Sequence, residues 1–383
     1  MQKLKNIEFL RTFLICGIVM LHMFINRTWC LCNIFPDIQL YQNIKAAVGH
    51  SNNGVEGFFI IAGFLLVITF KDSIKLGDFV LKKYIRLSPP IAFSMLLCII
   101  GWMLNTMHFK PIANLLTIFL FNNFGICWVV SDNPVLWFTS ALFAGLLVYF
   151  CLIKFVPQKY NKWIITVLFI IGYLILEYLQ HGSFSKPIKN YYHVLNVGFL
   201  RALGGLGIGC LIGQYFKGDS EKINNLVIPK LQKYFITFAE LFLTAFIIWW
   251  MLCPHANMNN ILFVLGFTVL FILFVAKKGY VSQFFDKDIW VKLGKYQYSV
   301  YVVHYVFIRI FGLAVWKQNP DFVNAHPVIP ILVMLFLIIL LGVFTYHFVE
   351  IPCAEYLKNL IFVKSEKPLY KRIFGGGGNY LRF

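Results

Sequence analysis

The run Val328–Val349, VIPILVMLFLIILLGVFTYHFV, carries no Lys, Arg, Asp or Glu. As a helix it is long enough to cross a bilayer, since about 20 apolar residues at 1.5 Å rise cover roughly 30 Å of hydrocarbon. Runs of the same kind recur near 8–26, 54–70, 88–106, 135–153, 163–180, 197–216, 234–252, 260–276 and 296–316, which makes ten predicted spans. An eleventh stretch, 112–124, is short and interrupted by Asn122 and Asn123, and it reads as re-entrant or interfacial. Composition agrees: 59% of the 383 residues are hydrophobic and 13% charged, with a mean hydropathy of +0.73. A soluble protein so poor in charge could not cover its surface. Soluble enzymes, disordered chains and nucleic-acid-binding domains are excluded, and the fold class is all-α and polytopic.

The net charge of +18 is explained by topology. With ten spans and the N-terminus inside, 25 of the 34 Lys and Arg fall in cytoplasmic segments, 6 outside, and 3 (Arg11, Arg201 and Arg309) within spans. Counting 112–124 as a span would invert every later loop and abolish this positive-inside asymmetry. Both termini are therefore expected in the cytoplasm. Glu8 and Arg11 interrupt the first run and no small-residue cleavage site follows it, so it reads as a retained span rather than a signal peptide. The Cys and His residues have no zinc-ligand spacing, and no metal is expected.

Ionisable side chains at membrane depth are costly unless paired or wet, and so mark function. Arg11 and His22 are 11 residues apart, which leaves them about 20° apart around a helix and about 16 Å apart along it. One reading is an internal cavity lined at two depths; the other is Arg11 snorkelling to headgroups and His22 resting at the interface. Glu56 enters the second span at nearly the depth expected for His22, where a carboxylate would fix the tautomer of the ring; it equally fits a plain interfacial acid. Lys82, Lys83 and Arg86 form a basic cytoplasmic stretch suited to anionic lipid or to cofactor phosphates. Arg201 precedes Gly204, Gly205, Gly207 and Gly209, which read as helix-packing glycines because no strand precedes them. In the ninth span Tyr298, Tyr301, Tyr305 and Arg309 share one polar-tipped face. Pro352 is expected to stop the last span after Glu350.

Together these segments resemble acyltransferase family 3, membrane enzymes that transfer acyl groups to sugars and other surface acceptors. The resemblance runs from about residue 6 to 357 and rests on six elements in order. They are Arg11…His22; Gly54–Phe64, like a glycine-valine-acid-x-Phe-Phe-x-x-Ser-Gly-Phe motif; Lys82–Pro89, ending Arg-x-x-Pro; Leu136-Trp137-Phe138; Tyr298–His304, like a Ser-x-x-Tyr-x-x-His motif; and Tyr346–Pro352, closing Glu-x-Pro. Ala62 stands where the family usually has serine and Glu56 where aspartate is commoner. No segment resembles the extracytoplasmic hydrolase-like domain of some members.

The resemblance implies one membrane domain over 1–357 and a basic, flexible tail over 358–383. It implies acetyl-CoA or another acyl-CoA as donor substrate with no permanently bound cofactor, a carbohydrate or glycolipid acceptor, and a bacterial cytoplasmic membrane. His22 would be the general base, oriented by Glu56, with Arg11 serving the donor or the cavity. Lys82, Lys83, Arg86, Tyr298 and Ser299 would hold the donor. Trp137, Arg201, Tyr301, His304 and Arg309 would lie on the acceptor side. A transporter or flippase of a lipid-linked sugar is the rival, since intramembrane Arg, Glu and His also serve ion coupling. Against it, the chain lacks two similar halves or matched broken helices.

Overall fold

In lipid every backbone polar group must be paired within the protein, which leaves apolar segments this long one option, the helix. The computed structural model describes residues 4–25, 29–122, 130–184, 187–191, 195–218, 228–252 and 259–362. Among these, nine helical segments are long and apolar enough to cross a membrane, the second of them counted as Gln39–Thr69 together with the short helices that precede Gly54, and a tenth, Ile261–Ala276, is apolar but 16 residues long. The ten are α1 (Lys5–Phe24), α2 (Gly54–Thr69), α3 (Leu76–Met103), α4 (Trp137–Phe155) and α5 (Gln158–Gln180), then α6 (Val197–Gly218), α7 (Lys230–Leu252), α8 (Ile261–Ala276), α9 (Gln297–Ala314) and α10 (Val328–Thr345). The strand content described is a two-residue pairing of Asn190–Tyr191 with Leu195–Asn196. The N-terminal end of α1 and the loops α2–α3, α4–α5 and α8–α9 define a Lys-rich side; the other side is Lys-poor.

Large apolar side chains face outward, as they must against lipid: Trp163 and Tyr178 on α5, Phe238 on α7 and Phe336 on α10 are all exposed. α6 is the most enclosed span, and α5 and α7 lie at the rim. Its enclosure follows from glycine. Gly205, Gly209 and Gly213, spaced by one turn, lie directly on the α2 backbone and side chains, while Gly204 and Gly207 admit Tyr173 and Tyr149. The helix-packing reading of this run therefore describes what the glycines do. A Cβ at Gly209 would collide with the Ile60 carbonyl and the Phe64 nitrogen. Gly209→Leu is expected to lower the melting temperature of the purified protein sharply, since overpacking against backbone costs about 1–3 kcal/mol or more. Gly77→Ala, at a position with open space around it, is expected to leave the melting temperature unchanged in the same assay.

Two boundaries differ from the sequence expectation. The third span does not begin near residue 88 after a separate basic stretch, because α3 runs unbroken from Leu76 through Lys82, Lys83 and Arg86 with Pro89 and Pro90 inside the helix. Pro89 and Pro90, both buried, withhold the N–H groups that would meet the Ile85 and Arg86 carbonyls, and the helix is held there by its packing; one residue further on, Tyr298 of α9 donates to the Leu87 carbonyl at 2.7 Å. Likewise Pro352 does not end the last helix. Tyr346–Glu350 forms a π-turn and the chain continues as Ile351–Phe362, with Pro352 in its first turn, where an N–H is dispensable. That helix extends past residue 357 into the expected tail; 363–383 lie outside the described residues. The stretch 112–124 is no span: Pro111–Ile118 is an eight-residue helix, about 12 Å long. Asp132 anchors it by accepting from Lys110 N at 3.0 Å and Asn114 Nδ2 at 2.8 Å. Asn123 lies outside the described residues.

Candidate active site

α1 and α9 run side by side in the same direction and meet at two polar levels. On α1, Glu8, Thr12, Ile15, Val19 and His22 follow a four-three spacing, so they form one seam. At the Lys-rich level the Thr12 hydroxyl donates to the Glu8 carbonyl at 2.8 Å, and Gln297 Nε2 donates to Thr12 Oγ1 at 2.7 Å and to that carbonyl at 3.3 Å. Arg11 Nη1 donates to both Glu8 carboxylate oxygens, at 3.0 and 2.9 Å, so the cation expected here is held by its own helix. At the Lys-poor level His22 Nδ1 meets His304 Nε2 at 3.0 Å. Between the two levels lie Ile15 and Val19, both buried. On the α1 seam itself, apolar packing of Ile15 and Val19 separates the two polar levels.

The upper pair has a defined proton arrangement. His304 is fully buried and its Nδ1 lies 2.6 Å from the Tyr301 carbonyl, which can only accept, so Nδ1 carries a proton. In the neutral ring Nε2 is then the bare acceptor, and the proton of the histidine pair belongs to His22 Nδ1. That leaves His22 Nε2 with its lone pair, on a residue that is half-buried. Aromatic edges enclose it: Tyr305 is T-shaped to His22 with centroids 5.6 Å apart, and Trp29 is T-shaped to Tyr305 at 4.8 Å. The α9 turn bearing His304 is pinned to the loop before α4. Tyr301 Oη donates to the Val135 carbonyl, and Asn133 Nδ2 donates to the Val302 carbonyl at 2.9 Å and to Ser94 Oγ at 2.7 Å. Arg309 donates from Nε to the Thr106 carbonyl at 2.8 Å and lies 6.0 Å from the Trp29 ring.

Glu56 does not orient His22. Its Oε1 accepts from Arg201 Nε at 2.5 Å and its Oε2 from Tyr173 Oη at 3.1 Å, with Glu56 and Arg201 both buried. The reason is depth. The turn Ser51–Asn53 dips beside Gly17, so Gly54 opens α2 against Leu14 and Ile18. Leu14 is eight residues below His22, about 12 Å along the helix. Arg201, expected on the acceptor side, is spent on this pair and on the Phe184 carbonyl at 3.0 Å and the Asn52 carbonyl at 3.4 Å. Trp137 packs 5.1 Å from its guanidinium. These residues bolt α2, α5, α6 and two Lys-poor loops together.

The residues expected to hold the donor gather at the Lys-rich level. Ser299 Oγ donates to the buried Glu350 carboxylate at 2.6 Å, an acid turned inward by the π-turn. Arg86 is exposed, close enough to Arg11 and Glu350 to act on both electrostatically. Lys83 lies over the Phe79 ring at 5.5 Å, and Lys82 is exposed, 5.7 Å from the Phe362 ring. Sequence reasoning missed Gln297, Tyr173 and Glu350 as members of these clusters. It named His304 but separated it from His22, although both lie inside predicted spans, which was the available signal. Among the described residues no group of three His, Cys, Asp or Glu could hold a metal ion.

Comparison with known proteins gives one result. The model of acyltransferase family 3, described as an acyltransferase domain, matches residues 4–347. No curated protein and no solved structure matches.

Proposed function

The chain belongs to acyltransferase family 3, and from that premise we propose that it moves an acyl group, acetyl in the simplest case, from acyl-coenzyme A to a hydroxyl of a cell-envelope carbohydrate. That it is a multi-pass membrane acyltransferase follows from the family and the helices. The observation that carries the mechanism is the imidazole pair, with a lone pair on His22 Nε2 and His304 behind it. The acceptor O–H gives its proton to His22 Nε2 as its oxygen attacks the thioester carbonyl carbon. The C–S bond then breaks, and the departing sulfur takes the proton back from His22, leaving ester and free thiol. During the step the imidazolium of His22 keeps its Nδ1–H on His304 Nε2, a hydrogen bond to a charged donor that strengthens as charge develops.

In this reading the Lys-rich side faces the cytoplasm of a bacterium, where acyl-CoA resides. Arg11, Lys82, Lys83, Arg86, Tyr298 and Ser299 serve the donor, and Tyr301, His304 and Arg309 border the acceptor's approach. Glu56, Arg201 and Trp137 support the frame. Reconstituted protein given labelled acetyl-CoA and envelope polysaccharides is expected to release thiol and label the polysaccharide. Uptake of a solute without thioester consumption would replace this reading with the carrier. Arg86→Ala is expected to raise KM for acyl-CoA about ten- to a hundredfold with kcat retained, because a hydrogen bond to a charged group contributes about 1.5–3 kcal/mol; steady-state kinetics with varied donor measure it.

A further inference from the structure

Gln297 opens α9 at the Lys-rich level and is 5% exposed. Its neighbours fix the orientation of its amide. The Glu8 carbonyl can only accept, and the Thr12 hydroxyl spends its proton on that carbonyl, so Thr12 Oγ1 accepts as well. Nε2 must face both, and Oε1 faces away. That oxygen is buried and meets no donor among the described residues. The next two side chains along α9 donate elsewhere, Tyr298 to the Leu87 carbonyl and Ser299 to Glu350. An unmet buried acceptor costs about 1–3 kcal/mol, and the chain keeps this one where the donor substrate is read to enter.

Resting on that donor reading, the geometry points to an amide N–H of the donor's pantetheine arm as the partner of Gln297 Oε1. The partner must donate, and a neutral N–H matches an acceptor whose own N–H groups are already spent. Spacing supports it. Gln297 and His304 are seven residues apart on α9, about 10 Å along the axis. The arm's two amide nitrogens lie roughly three and seven bonds from the thioester sulfur, about 4 and 8 Å when extended. With the thioester at His22 and His304, the distal amide falls near Gln297. The phosphates then lie beyond it, toward Arg86, Lys83 and Lys82.

A substrate–variant cycle tests this. Gln297→Met keeps length and volume but removes the amide. It is expected to raise KM for acyl-CoA about tenfold, near the 1.4 kcal/mol that corresponds to one decade, with kcat little changed. Acyl-CoA analogues in which one or the other amide is replaced by an ester lack the N–H. One of them is expected to show the same loss with wild-type protein and no further loss with Gln297→Met. Additive losses for both analogues, or a variant with wild-type KM, overturn the inference. Should Gln297→Met not fold, the rise in melting temperature of wild-type protein with CoA is compared with that for its ester analogues, and equal rises overturn it. Wild-type protein that consumes no acyl-CoA at all overturns the donor reading itself, and this inference with it.

Discussion

His22→Asn is expected to lower kcat for acyl transfer by about 10²–10⁴-fold, the usual contribution of a positioned general base, while the protein inserts and accumulates as wild type does. The substitution is chosen for its geometry. An asparagine amide nitrogen sits near the Nδ1 position and can still donate to His304 Nε2, but nothing replaces the lone pair at Nε2. Packing and the histidine contact are thus kept and the base is lost. A variant that transfers at the wild-type rate would remove His22 from the chemistry. His304, which acts through His22, gives a graded series. His304→Gln places an acceptor oxygen near the position of Nε2, whereas His304→Ala places none, so kcat is expected to fall in the order wild type, Gln, Ala. KM for the donor is expected to stay constant across the series. Equal losses in the two variants would mark His304 as packing alone.

Some of this is legible in the sequence alone, and the physics of the bilayer explains which part. Span length is dictated by hydrocarbon thickness, so the ten apolar runs reappear as α1–α10. The glycines of α6 announce close packing because little else tolerates backbone against backbone. Of the Arg11–His22 stripe only His22 meets α9: Thr12 is the α1 residue that contacts α9 at the Lys-rich level, while Arg11 pairs with Glu8 on its own helix. What the sequence left open is which helix lies across the seam. Depth was counted from the start of each apolar run, and that counting failed for Glu56 because Ser51–Asn53 turns inside the protein instead of at its edge. Proline boundaries failed for a related reason. Pro89 and Pro90 sit inside a helix held by tertiary packing and Pro352 follows a π-turn, and neither circumstance is written in the local sequence.

The Glu56–Arg201 pair separates the two readings of Glu56 by an effect larger than any other outside the histidines. If the carboxylate oriented His22, Glu56→Ala would leave a stable and inactive protein. With Glu56 held between Arg201 and Tyr173, its removal strands a buried guanidinium, a loss of about 3–5 kcal/mol for a broken buried pair. Glu56→Ala is therefore expected to reduce the folded yield in detergent and lower the melting temperature strongly. Arg201→Ala is expected to do the same and in addition free the Phe184 and Asn52 carbonyls. The decisive measurement is the double replacement. Glu56→Met with Arg201→Met removes both charges and fills the space with apolar atoms, a change that is often neutral for a buried pair. It is expected to recover most of the melting temperature lost by either single variant. It is also expected to recover transfer activity to match, because neither side chain reaches the histidines. A double variant that folds but stays inactive would return Glu56 or Arg201 to the chemistry.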